Sequence, residues 1–129
     1  MNKFPSDVLN AIAKDKEVRL TTYGRETGKE TSVTIWIVTD GIKAYIRSGQ
    51  GLKRHWPQNL LARPEGTLQL DGKAVRVMSR HISDPAEARH SSTLYGPKYG
   101  VSLKPSDESG PLTPGEQAAF ELLPADDSV

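Results

Sequence analysis

The chain has 129 residues, enough for one domain with a real hydrophobic core, and no cysteine, which excludes disulfides, thiolate zinc sites, iron–sulfur clusters and a cysteine nucleophile. The formal net charge is +1, so overall charge selects no class of partner. The N-terminal MNKFPSDVLNAIAKDKE lacks the apolar core of a secretory signal, and no stretch approaches the roughly 20 apolar residues of a membrane span; a soluble, cytoplasmic protein is the expectation.

Behind Ser6, the residues Val8, Leu9, Ile12 and Ala13 share a face at helical spacing, which predicts a short packing helix capped by Ser6. Residues 18–23 are branched and aromatic and read as a strand; residues 24–30 hold two glycines among charges and read as a turn. Residues 31–38 form the clearest strand. Val33, Ile35 and Ile37 point one way, Thr34, Trp36 and Val38 the other, and apolar bulk on both faces predicts a central strand with Trp36 in the core. Asp40-Gly41 signals a hairpin, because glycine accepts the positive φ of a primed turn. In residues 42–47, Ile42, Ala44 and Ile46 alternate with Lys43, Tyr45 and Arg47, as in a half-buried strand whose second face meets solvent or a ligand. Ser48-Gly49-Gln50-Gly51 is a loop, and a short helix follows from near Trp56, with Pro57 in its first turn.

Asp71-Gly72, between residues 67–70 and 73–82, is a second hairpin signal. Asp84-Pro85-Ala86-Glu87 supplies a cap, a first-position proline and an acid, and predicts a helix running to about Tyr95. Residues 96–115 are rich in Pro, Gly and Ser and read as a long loop; periodicity leaves residues 118–123 open between a helix and a closing strand. Residues 125–129 are expected to fray. Six strands joined mainly by hairpins predict a mainly β fold with short helices: an antiparallel barrel in a single domain over residues 1–124, with an α+β sandwich as the alternative.

Charge is unevenly spread. Residues 24–63 carry seven Lys or Arg against three acids, whereas residues 106–129 carry six acids and no Lys or Arg. A basic first half invites an anionic ligand, although ordinary charged surface reads the same way. In residues 24–29, glycines let backbone N–H groups converge on an anion while Arg25 and Lys29 add charge; a hairpin turn with solubilising charges is the bland reading. Arg47 can pair with a phosphate or carboxylate in two-pronged fashion, and Ser48 can donate to a ring carbonyl. Trp56 and Asn59, three apart, share a helix face, offering an indole to stack and an amide to bond; core packing is the simpler role for Trp56. Tyr95 and Tyr99 flank Gly96-Pro97-Lys98 and by themselves read as surface or interface tyrosines. His55, His81 and His90 show no ligand spacing, so no metal site is expected. Nucleic-acid binding lacks a basic, aromatic-striped surface.

Thr21-Thr22, Gly24-Arg25-Glu26-Thr27-Gly28-Lys29, and Trp56 followed by Asn59-Leu60 resemble the deazaflavin-dependent nitroreductase and quinone reductase family. A closer likeness is to small uncharacterised bacterial proteins (DUF2255-like) of the same superfamily. It rests on Ile35-Trp36-Ile37-Val38, Tyr45-Ile46-Arg47-Ser48-Gly49-Gln50-Gly51, Trp56, Lys98-Tyr99-Gly100 and the stretch from Phe120 to a final proline. The resemblance implies the split β-barrel of the flavin-reductase-like, pyridoxamine-phosphate-oxidase superfamily (the FMN-binding split barrel) and a closing strand at Phe120. It also implies a homodimer with deazaflavin (coenzyme F-420) or FMN where the subunits meet. Arg25, Lys29, Arg47, Ser48, Trp56 and Asn59 would then contact the cofactor, and Ser48, Tyr95 and Tyr99 would serve catalysis. A cofactor-binding module without catalysis, or a scaffold with a filled cavity, remains open beside the reductase reading.

Overall fold

The computed structural model describes residues 3–125. Helix α1 (Ser6–Lys14) is followed by strands β1 (Val18–Tyr23), β2 (Glu30–Ile35), β3 (Val38–Thr39) and β4 (Ala44–Arg47). Helix α2 (His55–Ala62), β5 (Glu65–Leu70) and β6 (Lys73–His81) come next, then α3 (Pro85–Ser92), α4 (Tyr95–Tyr99), α5 (Pro114–Gln117) and β7 (Ala119–Pro124). The strands form one antiparallel sheet in the order β2-β1-β5-β6-β7-β4-β3.

The two outer strands of that order, β2 and β3, are neighbours in the sequence. Only Trp36 and Ile37 separate them, so the Cα atoms of Ile35 and Val38 lie at most ~11 Å apart. The sheet must therefore curl until its edges nearly meet, which gives a barrel split at one seam. Its interior is filled by Leu20, Ile46, Leu68, Val77 and Phe120, with Ile12 of α1 also fully buried in this cluster. A smaller cluster forms on the outer side, where Tyr45, Ala119, Ile82, Ala88 and Tyr95 pack together and the loop after α4 adds Val101, Leu103 and Leu112.

The mainly β architecture with short helices stands, with seven strands rather than six. The expected strand over residues 31–38 breaks at Trp36-Ile37, because there the chain leaves one edge of the sheet and joins the other. Leaving the ladder strands the backbone groups of Ile37, and buried backbone groups need partners. Its N–H donates to Tyr99 Oη at 3.0 Å, and its carbonyl accepts from Lys98 Nζ at 2.6 Å. β2 is thus an edge strand, not a central one, and Trp36 is 40% exposed rather than in the core.

Smaller departures have local causes. Pro5, not Ser6, holds the cap position of α1. Strand β4 begins at Ala44 because Asp40 Oδ1 accepts from the N–H groups of Ile42 and Lys43, extending the turn to four residues. The helix expected to reach Tyr95 ends at Ser92 and restarts as α4. Pro97 has no N–H for the Thr93 carbonyl, and its ring opposes a continuous helix through that turn. At Asp71-Gly72 both φ values are positive, +52° and +75°, as the predicted primed hairpin requires. Residues 119–124 form the closing strand. Ala125 donates to the Arg76 carbonyl; the rest of the tail expected to fray lies outside the described residues.

Candidate functional site

A cleft of about 400 Å³ opens at the seam of the barrel. Its walls come from the end of β2 with Trp36, from the end of β4 with Arg47 and the Ser48-Gly49-Gln50 loop, from Trp56 of α2 and from Tyr95 of α4. Leu103, in the loop after α4, adds an apolar rim. The strand-to-loop change after Arg47 bends the chain around this space, and Gly51, at φ +87°, completes the bend.

Arg47 is held from several sides. Its guanidinium lies over the Tyr95 ring at 4.7 Å, and it donates to Ser92 Oγ through Nη2. Ser92 in turn donates to Glu116 Oε2 at 2.8 Å. Glu116 is fully buried and also accepts from the backbone N–H groups of Ser106 and Thr113, at 3.0 Å each. Burial alone would raise its pKa, but the hydrogen bonds from Ser106, Thr113 and Ser92 outweigh it and hold the carboxyl at about 2. A hydroxyl thus separates a fixed cation from a fixed anion. Gly115 is needed beside them, since a Cβ there would sit 3.0 Å from Arg47 Nη1.

Two polar atoms on the cleft side are buried without a hydrogen bond: Arg47 Nε and the Tyr95 hydroxyl. Orphan polar groups of this kind are costly, on the order of 1–3 kcal/mol each, and ask for an explanation. Burial pushes the Tyr95 hydroxyl well above its usual pKa, with the Arg47 charge pulling the other way. Neither atom is exposed to the cleft, and the Arg47 guanidinium lies against the Tyr95 ring, so the two groups partly satisfy each other.

A second cleft, also of about 410 Å³, borders the other predicted basic residues. Arg25 and Lys29 of the β1–β2 turn face His55 and Asn59 of α2 there. Arg25 Nη1 donates to Asn59 Oδ1 at 3.1 Å, and Asn59 Nδ2 donates to Thr22 Oγ1 at 3.1 Å, so the buried amide orients the arginine. Helix α2 lies between the two clefts, with Trp56 on the first and Asn59 on the second.

The structure therefore brings Arg47, Ser48, Trp56 and Tyr95 together, and it gathers Arg25, Lys29 and Asn59 separately. Trp56 is 7% exposed and packs on Phe120 at 6.0 Å between ring centroids, so it offers the cleft an edge rather than a stacking face. Tyr99 does not line the cleft; its hydroxyl is engaged by the backbone of Ile37 and by the Lys16 carbonyl at 2.6 Å. On the face of residues 43, 45 and 47, expected to meet solvent or ligand, Arg47 lines the cleft and Lys43 stays partly exposed, while Tyr45 is buried against Glu87 of α3. Sequence reasoning missed Trp36 as a cleft wall and missed Ser92 and Glu116 altogether. The Thr113-x-x-Glu116 capping box was legible, but nothing local shows that its glutamate also serves Ser92. Among the described residues no group of three acids and histidines is gathered that could hold a metal ion, and no helix is long and apolar enough to cross a membrane.

The fold is shared with solved structures of low identity. A protein from Bacteroides thetaiotaomicron described as a candidate 5-nitroimidazole antibiotic resistance protein aligns at TM-score 0.65 and 13% identity, over 96% of this chain and 81% of its own. An F420-H2 dependent reductase aligns at TM-score 0.58 and 20% identity, over 84% and 93%. A protein solved as a domain-swapped dimer aligns at TM-score 0.57 and 18% identity, over 84% and 79%. At these identities the likeness establishes the fold: the flavin-reductase-like split barrel. No curated protein matches the sequence. A family model described as an uncharacterized protein conserved in bacteria (DUF2255) matches residues 8–112, most of the chain, and the chain belongs to that family.

Proposed function

We propose that the protein is a cytoplasmic, homodimeric oxidoreductase that holds a deazaflavin-type cofactor, or FMN, in the cleft at the barrel seam. The observation that carries this reading is a single cleft lined by an exposed indole, the Arg47 side chain and the Ser48 loop. A flat ring with carbonyl oxygens on one edge meets that chemistry. The likeness to an F420-H2 dependent reductase favours a deazaflavin over FMN.

When bound, the cofactor supplies the hydride chemistry. The chain's part is to hold and orient. Arg47, fixed through Ser92 by Glu116, presents a donor and a positive charge where negative charge develops. The Ser48 hydroxyl offers a further donor at the same wall. Leu103 and the two indoles restrict water. Arg25 and Lys29, oriented in the neighbouring cleft, would take the anionic end of the ligand. A quinone-like or nitroaromatic compound is the electron acceptor in this reading.

One observation supports the second reading, a binding module without catalysis. Tyr95 lines the cleft, but its hydroxyl is buried and holds its proton tightly, which makes it a poor acid near neutrality. Titrating the protein with oxidised deazaflavin and with FMN, and then following consumption of the reduced cofactor with a quinone, separates the two. Binding with turnover supports the reductase; binding without turnover leaves the module; no binding of either cofactor ends both. Sedimentation at micromolar concentration tests the dimer, and a monomer at that concentration contradicts it.

A further inference from the structure

The exposed indole of the cleft bears on which ligand it accepts. Trp36 is a large, 40% exposed aromatic side chain at the crossing from β2 to β3. Leaving 40% of the indole exposed forgoes part of the ~150–250 Å² of mostly apolar surface such a side chain can bury. One face is already covered: the Tyr99 ring lies 4.1 Å away, at 3° to the indole plane. Since Trp36 also lines the cleft, the cleft receives its other face or its edge.

The stack continues inward. Tyr99 and Tyr95, one turn apart on α4, lie 6.3 Å apart and near parallel, and Arg47 covers the Tyr95 ring. A single helical turn therefore connects the exposed indole to the polar floor of the cleft. The support is also fixed from the backbone side. Tyr99 Oη accepts from the Ile37 N–H, and Lys98 Nζ donates to the carbonyls of Ile37 and Ile12, both at 2.6 Å. The Lys98 ammonium also sits 5.1 Å from the centre of the Tyr99 ring. The Lys98-Tyr99-Gly100 stretch thus clamps the residue after Trp36, and Gly100 ends the clamp at φ +69°.

We infer that Trp36 is the stacking wall that selects the ligand of this cleft, that Lys98 and Tyr99 are its positioning residues, and that the ligand is a planar aromatic compound with hydrogen-bond acceptors along one edge. The inference rests on the cleft being a ligand site, as in the proposed function, but not on that ligand being a cofactor. Because the indole is held before binding, stacking on it costs little ordering entropy. Arg47 and Ser48, which line the same cleft, set the acceptor edge. An aliphatic carbonyl compound of similar polarity gains only the floor contacts and binds weakly. Two kinds of molecule share the required chemistry: the ring of a flavin or deazaflavin, and a flat acceptor such as a naphthoquinone.

The test is a set of binding titrations with oxidised deazaflavin, FMN, menadione and cyclohexanone, on the wild type, Trp36→Leu, Trp36→Phe and Tyr99→Phe. Affinity is read from probe absorbance and fluorescence, so that loss of an indole does not remove the signal. Trp36→Leu is expected to weaken the flat probe by about ten-fold, Trp36→Phe by about three-fold, in line with stacking worth ~1–3 kcal/mol. Cyclohexanone should bind weakly and alike to all four proteins. Tyr99→Phe keeps the ring and loses the anchor; in a Trp56→Phe background, the remaining Trp36 emission should then lose anisotropy, a signature that general destabilisation without unfolding would not give. Both Trp36 variants should melt near the wild type, because the side chain is half exposed. If a flat probe binds equally to wild type and Trp36→Leu, the inference is overturned while the cleft stands. If menadione alone binds, and through Trp36, the cofactor reading fails and the inference stands. If no flat probe binds the wild type, both fall.

Discussion

At the scale of single residues the cleft carries a cost in stability. Tyr95 keeps a buried hydroxyl with no hydrogen bond of good geometry. Replacing it by phenylalanine removes an unsatisfied polar atom without opening a cavity. Tyr95→Phe should therefore leave the melting temperature unchanged or raise stability by up to about 1 kcal/mol. Thermal melts check this, and a variant that loses stability would show that the hydroxyl has a partner in solution. Glu116 works in the opposite sense. Its folded pKa, about 2, lies below the ordinary carboxylate value, so its contribution to stability is fully present above about pH 4.5 and is lost as pH falls towards 2. That contribution is on the order of 2–3 kcal/mol for a fully buried carboxylate. Urea midpoints measured from pH 6 down to pH 2.5 should fall more steeply in the wild type than in Glu116→Gln, which lacks the titrating group.

At the scale of elements, two close approaches set the geometry. β5 pairs with both β1 and β6, and Gly66 lies directly beyond the last β1–β5 pair, Thr21 with Thr67. A Cβ on Gly66 would meet the Thr21 carbonyl oxygen at 2.9 Å, a backbone atom in a paired strand that has little room to move. Gly66→Ala should cost about 1–3 kcal/mol by forcing β1 and β5 apart, read as a lowered urea midpoint with an unchanged slope. Helix α3 is the other such element. Its residues Glu87 and Ser92 meet Tyr45 and Arg47 on the outer face of β4, so the helix fixes one wall of the cleft. Arg80 reinforces the arrangement through Glu87 and Glu121, each at 2.6 Å, and these contacts, working against burial, hold the Glu87 carboxyl below its usual pKa.

At the scale of the whole molecule, the defining event is the crossing from β2 to β3. Two residues join opposite edges of one sheet, and a tyrosine and a lysine more than sixty positions away supply the hydrogen bonds that the crossing forfeits. Tyr99→Phe should release the Ile37 amide. Hydrogen exchange at Ile37 is then expected to rise toward that of an exposed loop, and global stability to fall by about 1–2 kcal/mol. Unchanged protection at Ile37 would contradict the hydrogen bond from its amide to Tyr99. Closure of the seam and the shape of the cleft are coupled through this point, because Trp36 is the residue next to it.

Local chemistry was enough for much of the fold. Alternation, the Asp71-Gly72 turn and the Asp84-Pro85 helix start act over a few residues, so β1, β5, β6 and the start of α3 could be read directly. Arg47, Ser48 and Trp56 were legible as candidates from residue type and neighbouring turns, and Tyr95 through the family resemblance, and the four meet in one cleft. Alternation could not show that residues 31–38 change sheet edge, since Trp36 and Ile37 look the same in a central strand as at a crossing. Only the folded chain brings Lys98 and Tyr99 to Ile37 and turns Trp36 outward. It alone also separates Arg25 and Asn59 from Arg47, and joins Glu116 to Ser92, because a side chain's partner across the barrel is set by strand order rather than by its neighbours in sequence.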